Sequence, residues 1–364
     1  MSKVRQSSRA RLTSINGSHS SALSAKQLVT KDPVFRLFHG KLSATWTVII
    51  NVLFAGLVFL ADILGKPPNE RPLEAFTSLR KILIIAFGLS VYFLQPGWIA
   101  DLFNGLEKNR VIVRSRSGDY DYDDFQSDRI RRVDSRLCTV LGFLFLVAFW
   151  IRRLLTYSHK RSLWLELAAL FIVYALPYYA FVVTLTKFCL ALFSTKRLFD
   201  LFEVRVNPLH IDGVGGFRPI GRILLKYAIV LAVFVSLATA GRILSSIDDF
   251  RLILGRSEVL MALLATACFP LFLWGWLWVP HKAMIDNRNR KLRQLTDDLD
   301  GLDHEKEAKR YSELAQEHDL VRKSYPTWPM SLNQTRNFLA LIATPLITTL
   351  VSSAARYLWT RLIP

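Results

Sequence analysis

The sequence predicts an all-α integral membrane protein with six to seven transmembrane helices and a cytoplasmic helical hairpin. Two observations lead there. Hydrophobic residues make up 51% of the chain, and they fall in blocks of roughly 15 to 30 residues divided by stretches dense in Arg, Lys and Asp. A helix needs ~20 mostly apolar residues to cross a ~30 Å hydrocarbon core, and several blocks reach that length. Secondly, the net charge of +18 comes from Lys and Arg that flank the apolar blocks, where they meet anionic headgroups and fix topology. In a soluble domain that charge would point to nucleic acid. Here nucleic acid is disfavoured and the lipid bilayer is the expected partner.

Residues 1–41 are rich in Ser, Arg and Lys, with no acidic residue before Asp32. They lack the apolar core of a secretory signal, and their composition fits a basic disordered cytoplasmic tail or a mitochondrial transit peptide. The transmembrane domain is expected over 42–280. Its first span, 42–64, ends at Gly65-Lys66-Pro67-Pro68, because proline cannot continue the hydrogen-bond ladder. The second, 79–99, leaves the bilayer at Gln95-Pro96-Gly97-Trp98. A polar loop, 100–136, precedes a block at 137–151 that is short for a crossing and pairs with its successor as a re-entrant hairpin if six spans are right. The block 163–193 is broken by Pro177 and reads as a kinked, tilted helix leaving the bilayer near Lys187. A second polar loop, 194–222, is followed by spans at 223–247 and 259–280, the latter ending in the interfacial tryptophans Trp274, Trp276 and Trp278.

The segment 281–335 is polar, with Ile285, Leu292 and Leu299 repeating every seven residues. A second run puts Tyr311, Leu314, His318 and Val321 on one helical face. A hairpin burying these faces against each other is expected, and 281–325 is the candidate contact for a soluble protein partner. Residues 336–364 hold the last span and the C-terminus. About two thirds of the 47 Lys and Arg residues lie on one side of this arrangement, which places the amino terminus in the cytoplasm.

Four groups of residues carry candidate roles. Thr344, Thr348 and Ser352, bracketed by Arg336 and Arg356, form a hydroxyl stripe on the last span. Such a stripe lines a polar path or bonds its own backbone. Ala228, Ala232, Ser236 and Ala240 recur every fourth residue, a face suited to close helix packing within the chain or in a homo-oligomer. Asp62, Glu166, Lys187 and Lys226 lie in or beside spans and are expected to snorkel. The loop 206–217 gathers His210, Asp212, Gly213, Gly215 and Gly216. Its exposed N–H groups and titratable pair suit an anion or metal, while Asp212 equally suits a structural role, bonding local N–H groups and capping the next helix. It is no dinucleotide fingerprint, because Arg218 stands where a third glycine belongs. One His and one Asp are too few for a metal site.

Cys138, Cys189 and Cys268 lie in apolar blocks with no CxxC spacing, so neither disulfides nor zinc is expected. No hydrolase elbow, P-loop, HExxH or kinase signature occurs. No catalytic residue, metal or cofactor is expected, and an enzyme is disfavoured. The loop Pro208-Leu209-His210-Ile211-Asp212-Gly213-Val214-Gly215-Gly216-Phe217, with Tyr325-Pro326-Thr327-Trp328-Pro329-Met330 before the last span, resembles a group of uncharacterised bacterial multi-pass membrane proteins whose loop reads HPDGxGGL. Ile211 and Phe217 depart from that pattern. The resemblance implies a bacterial cytoplasmic membrane and no known reaction. Three functions follow as expectations: a channel- or transporter-like protein, a membrane-anchored signalling or effector protein receiving a partner at 281–325, and a membrane enzyme using His210 and Asp212.

Overall fold

The computed structural model describes residues 23–35, 44–64, 71–115, 121–134, 136–157, 176–245, 257–302 and 307–362. After a 3-10 turn at Ala25–Leu28, nine α-helices and two short strands follow one another among them. These are α1 (Ala44–Leu64), α2 (Arg71–Lys108), β1 (Ile112–Ser115), α3 (Tyr122–Val133), α4 (Arg136–Tyr157), α5 (Leu176–Leu201), β2 (Phe202–Val204), α6 (Arg218–Ser245), α7 (Ser257–Asp300), α8 (Ala308–Ser324) and α9 (Leu332–Leu362).

Three helical stretches among the described residues are long and apolar enough to cross a membrane: Ile82–Lys108, Tyr179–Leu201 and Arg218–Leu237. This corrects the expectation of six to seven spans. A crossing needs a continuous helix that stays apolar and nearly uncharged, and an apolar block in the sequence does not guarantee one. The block at 137–151 supplies only a shorter apolar helix, Arg136–Ala148, and 158–175 and 246–256 lie outside the described residues. Leu144 of α4, Leu53 and Leu57 of α1, Phe181 and Phe193 of α5 and Leu350 of α9 all turn outward. Apolar surface on this scale needs a non-aqueous neighbour. The chain is a multi-span helical membrane protein.

Helix ends differ from block ends because a helix need not stop at the bilayer surface. Pro96 removes one N–H from α2, yet the helix runs on to Lys108. It closes with Arg110 N–H on the Glu107 carbonyl (2.8 Å) and Val111 N–H on that of Leu106 (3.1 Å). Arg110 takes the left-handed conformation at φ 52°, which is the pattern of a Schellman stop. Likewise α7 is one helix of 44 residues, ~66 Å long, with no break at 280. The first arm of the expected hairpin is therefore the far half of α7. Antiparallel to it lies α8, held by Arg288 Nη2 on the Arg322 carbonyl (2.6 Å) and Lys291 with Glu317 (2.9 Å), with Leu295 and Val321 buried.

A small antiparallel ribbon departs from the all-α expectation. β1 meets β2 with Ile112 opposite Val204 and Ser115 opposite Phe202, and an irregularity between Ile112 and Arg114. It ties the ends of α2 and α5 together. Asn287 of α7 donates to the Val204 carbonyl (2.6 Å) and accepts from the Tyr325 hydroxyl, which also reaches the Val206 carbonyl. Burial pushes the Tyr325 phenol up to about 12, so it stays a donor at neutral pH. Ala228 and Ala232 are buried inside the chain, Ala228 within a core shared by α2, α5, α6, α7 and α9. The Ala240 side chain lies outside the described residues.

Residues 23–35, assigned by composition to a disordered tail, pack onto the helices. Leu23 exchanges two hydrogen bonds with Asn104 of α2 (2.9 and 2.8 Å). Thr30 and the Lys31 N–H bond Asp134, and Leu28, Val29 and Phe35 are buried.

Glycines mark the closest helix contacts. A Cβ on Gly142 of α4 would lie 2.7 Å from the Tyr179 ring of α5, whereas one on Gly56 would meet nothing. Gly142→Ala is therefore expected to lower the thermal midpoint in detergent, by about 1–3 kcal/mol of overpacking. Gly56→Ala should leave it unchanged or raise it through helix propensity. Equal effects would contradict the α4–α5 packing.

Candidate functional site

The hydrocarbon core penalises polar groups, so those it holds are the place to look for function. Lys187 is the ninth residue of the stretch Tyr179–Leu201, ~12 Å along its axis and too deep for the expected snorkelling. Its side chain is 3% exposed and pairs with Asp32, 2% exposed, at 3.4 Å. Asp32 belongs to the N-terminal segment. Its Oδ1 also accepts from the Tyr179 hydroxyl (3.1 Å) and the Phe35 N–H (3.3 Å). Lys187 lies 5.9 Å from the centre of the Phe35 ring. Tyr92 of α2 stacks edge-on with Phe35 and Tyr179.

One helical turn beyond Tyr92, Gln95 is fully buried. Its Nε2 donates to the Thr184 carbonyl of α5 and the Tyr227 hydroxyl of α6, both at 2.7 Å. A carbonyl accepts and cannot donate, so the amide is fixed in this orientation and Oε1 points away. The Tyr92 hydroxyl is buried beside Asp32, and Gln95 Oε1 and Thr184 Oγ1 find no hydrogen-bond partner among the described residues. Buried polar atoms of native proteins are rarely left so. Together with the Lys187–Asp32 pair they form a polar track along the α2–α5 seam, closed on one side by Tyr227. Sequence reading missed it. Lys187 was visible as an intramembrane charge, but its partner lies 155 residues away in a segment that resembles a tail.

The other expected candidates sit elsewhere. Thr344 donates to the Ala340 carbonyl (2.9 Å), Thr348 to that of Thr344 (2.8 Å), and Thr349 to that of Pro345 (2.7 Å). The hydroxyls thus bond their own helix. Arg336 is exposed on the first turns of α9, and the side chains of Ser352 and Arg356 lie outside the described residues, as do those of Asp62 and Glu166. Lys226 pairs with Asp101 at 3.7 Å and lies over Trp98.

The loop before α6 is organised around Asp212. Its carboxylate accepts the N–H groups of Val214 and Gly216 (3.0 Å each) and Arg218 (3.3 Å), and lies 2.9 Å from His210 Nδ1. Burial opposes its ionisation, but the N–H groups of Gly216, Val214 and Arg218 and the His210 ring together outweigh that and hold its carboxyl below the usual range. Gly215 and Gly216 adopt φ of 68° and 98°. A Cβ on Gly215 would sit 2.4 Å from Val206, so both position and conformation require glycine. Leu209 and Ile211 stand 93% and 99% exposed at the tip. Asp212 thus spends its acceptors on the loop's own backbone. Among the described residues no group of three or more His, Cys, Asp or Glu could hold a metal.

The lowered Asp212 carboxyl gives a pH signature. Its stabilisation is complete above the unfolded value near 3.8 and is lost as pH falls through the lower folded value. Asp212→Ala should cost about 1–3 kcal/mol at neutral pH, and the gap in thermal midpoint should close on acidification. A gap that persists below that window would refute this role. Ile211→Ser should shift stability by less than ~0.5 kcal/mol.

Compared with known proteins, the chain matches no family model, no curated protein and no solved structure.

Proposed function

We propose a channel- or transporter-like role for this multi-span membrane protein, with the seam between α2 and α5 as the route of a small anionic solute. The observation that supports the reading most directly is Lys187, a cation buried inside a span and neutralised by a residue from outside the spans. Here the countercharge sits on residues 23–35, outside the spans, so another anion that compensates Lys187 could take its place. Intramembrane ionisable groups commonly mark solute pathways, and Gln95, Thr184 and Tyr92 continue the polar surface along the same seam. The basic end of the molecule, holding Lys108, Arg205 and Arg218, faces the cytoplasm in this reading.

The test is anion flux in proteoliposomes, followed with labelled acetate and with a chloride-sensitive dye. Wild-type protein, and more strongly Asn104→Ala, which loosens the N-terminal segment, should dissipate an anion gradient. Lys187→Met should reduce flux at least ~10-fold, the factor set by ~1.4 kcal/mol. Absence of protein-dependent flux in both wild type and Asn104→Ala, or full flux in Lys187→Met, would end the proposal.

A further inference from the structure

We infer that Lys187, Tyr179 and Tyr92 form a binding site for a small monocarboxylate, and that the chain fills this site with its own Asp32. The inference deepens the transport reading and rests on it only for the use to which binding is put.

The geometry around Asp32 defines the ligand. One carboxylate oxygen meets the Lys187 ammonium, and the other accepts the Tyr179 hydroxyl and the Phe35 N–H. Two oxygens a fixed distance apart, one on a cation and one on hydroxyl donors, are what a carboxylate offers and a spherical halide does not. The Phe35 N–H would leave with the segment. In its place stands Tyr92, whose hydroxyl is buried beside the same Asp32 carboxylate and beside Tyr179. It is a donor only 1% exposed to solvent that stays on α2 when the segment leaves. The wall that stays on the helices is aromatic, Tyr92 lying edge-on to Phe93 and Tyr179, so the ligand carries a short apolar substituent and no second charge.

Asp32 is tethered, and a tethered competitor acts at high effective concentration. Free carboxylate therefore binds wild-type protein weakly, in proportion to the fraction of molecules whose segment is displaced. With that fraction at ~10% or below, freeing the site strengthens apparent binding ~10-fold or more.

The experiment is titration of full-length protein in detergent with sodium acetate, read as the thermal midpoint, with sodium chloride and phosphate at matched ionic strength as controls. Asp32→Ala is expected to show a saturable rise with acetate at concentrations ~10-fold or more below those wild type requires, and no comparable rise with chloride or phosphate. Asp32→Ala/Lys187→Met should not respond. Should Asp32→Ala fail to fold, Asn104→Ala decides, since it keeps both Asp32 and Lys187 and releases only the Leu23 contact. It should respond to acetate more tightly than wild type.

The inference is overturned if neither variant gains over wild type. A response surviving in the double variant overturns it too, as does an equal rise with chloride or phosphate. Binding is read here without transport. Acetate binding with no flux would retire the transport route and leave the site standing, whereas flux with no acetate response would do the reverse.

Discussion

A lysine cannot stay charged inside a hydrocarbon-facing bundle without a countercharge, and the arrangement of the N-terminal half follows from that constraint. Placing an isolated cation at the centre of a membrane helix costs ~2.5–3.5 kcal/mol even by lenient scales. Lys187 meets the requirement with Asp32, which in turn needs residues 23–35 to be held in place. Asn104 and Asp134 hold the two ends of that segment, and Leu28 and Phe35 bury its apolar side. Removing one member of such a pair costs more than the pair itself contributes, because the survivor is left buried and uncompensated. The docked segment, the α2–α5 seam and the charge are one interdependent unit.

At the other end of these helices the problem is different. There α2 and α5 leave the apolar region and their last carbonyls need partners. The Schellman stop at Arg110 turns the chain into β1, and β2 follows α5 without a break, so two helix ends become one hydrogen-bonded ribbon. Val204, at the end of β2, is then fixed by Asn287, which is fixed by Tyr325. The Asp212 loop packs on the same unit, with Gly215 against Val206 and Pro326, and Gly216 against Val111. Segments far apart in sequence therefore share one polar junction beside the bilayer. Helix α7 passes straight through it and carries α8 beyond.

The membrane character was legible because lipid imposes a rule that composition cannot hide: long, nearly uncharged runs. The number of spans was not. Apolar blocks say where a helix is greasy, but not where it starts, and α2 and α7 both run well past the points where their blocks end. The ribbon escaped because its strands are three and four residues long, too short for alternation to register. In the loop, glycine spacing and an aspartate gave away the turn geometry, since Asp-Gly-x-Gly-Gly offers few alternatives once φ must be positive. The seam was illegible for a firmer reason. Its members, Asp32, Tyr92, Gln95, Thr184 and Lys187, are individually ordinary and come together only through tertiary packing.

Pro96 falls on the turn of α2 that carries the seam. A proline inside a helix removes one N–H and crowds the carbonyl four residues earlier, which here belongs to Tyr92. The Tyr92 carbonyl thus lacks its usual helical donor, at the depth where the side chains of α2 turn polar. Gln95, adjacent to the proline, donates both amide protons, to α5 and to α6, and so joins three helices at that turn. In lipid such a break is tolerated where neighbouring helices re-satisfy the freed groups. The proline's missing N–H and the polar side chains Tyr92 and Gln95 thus fall on the same turn of α2.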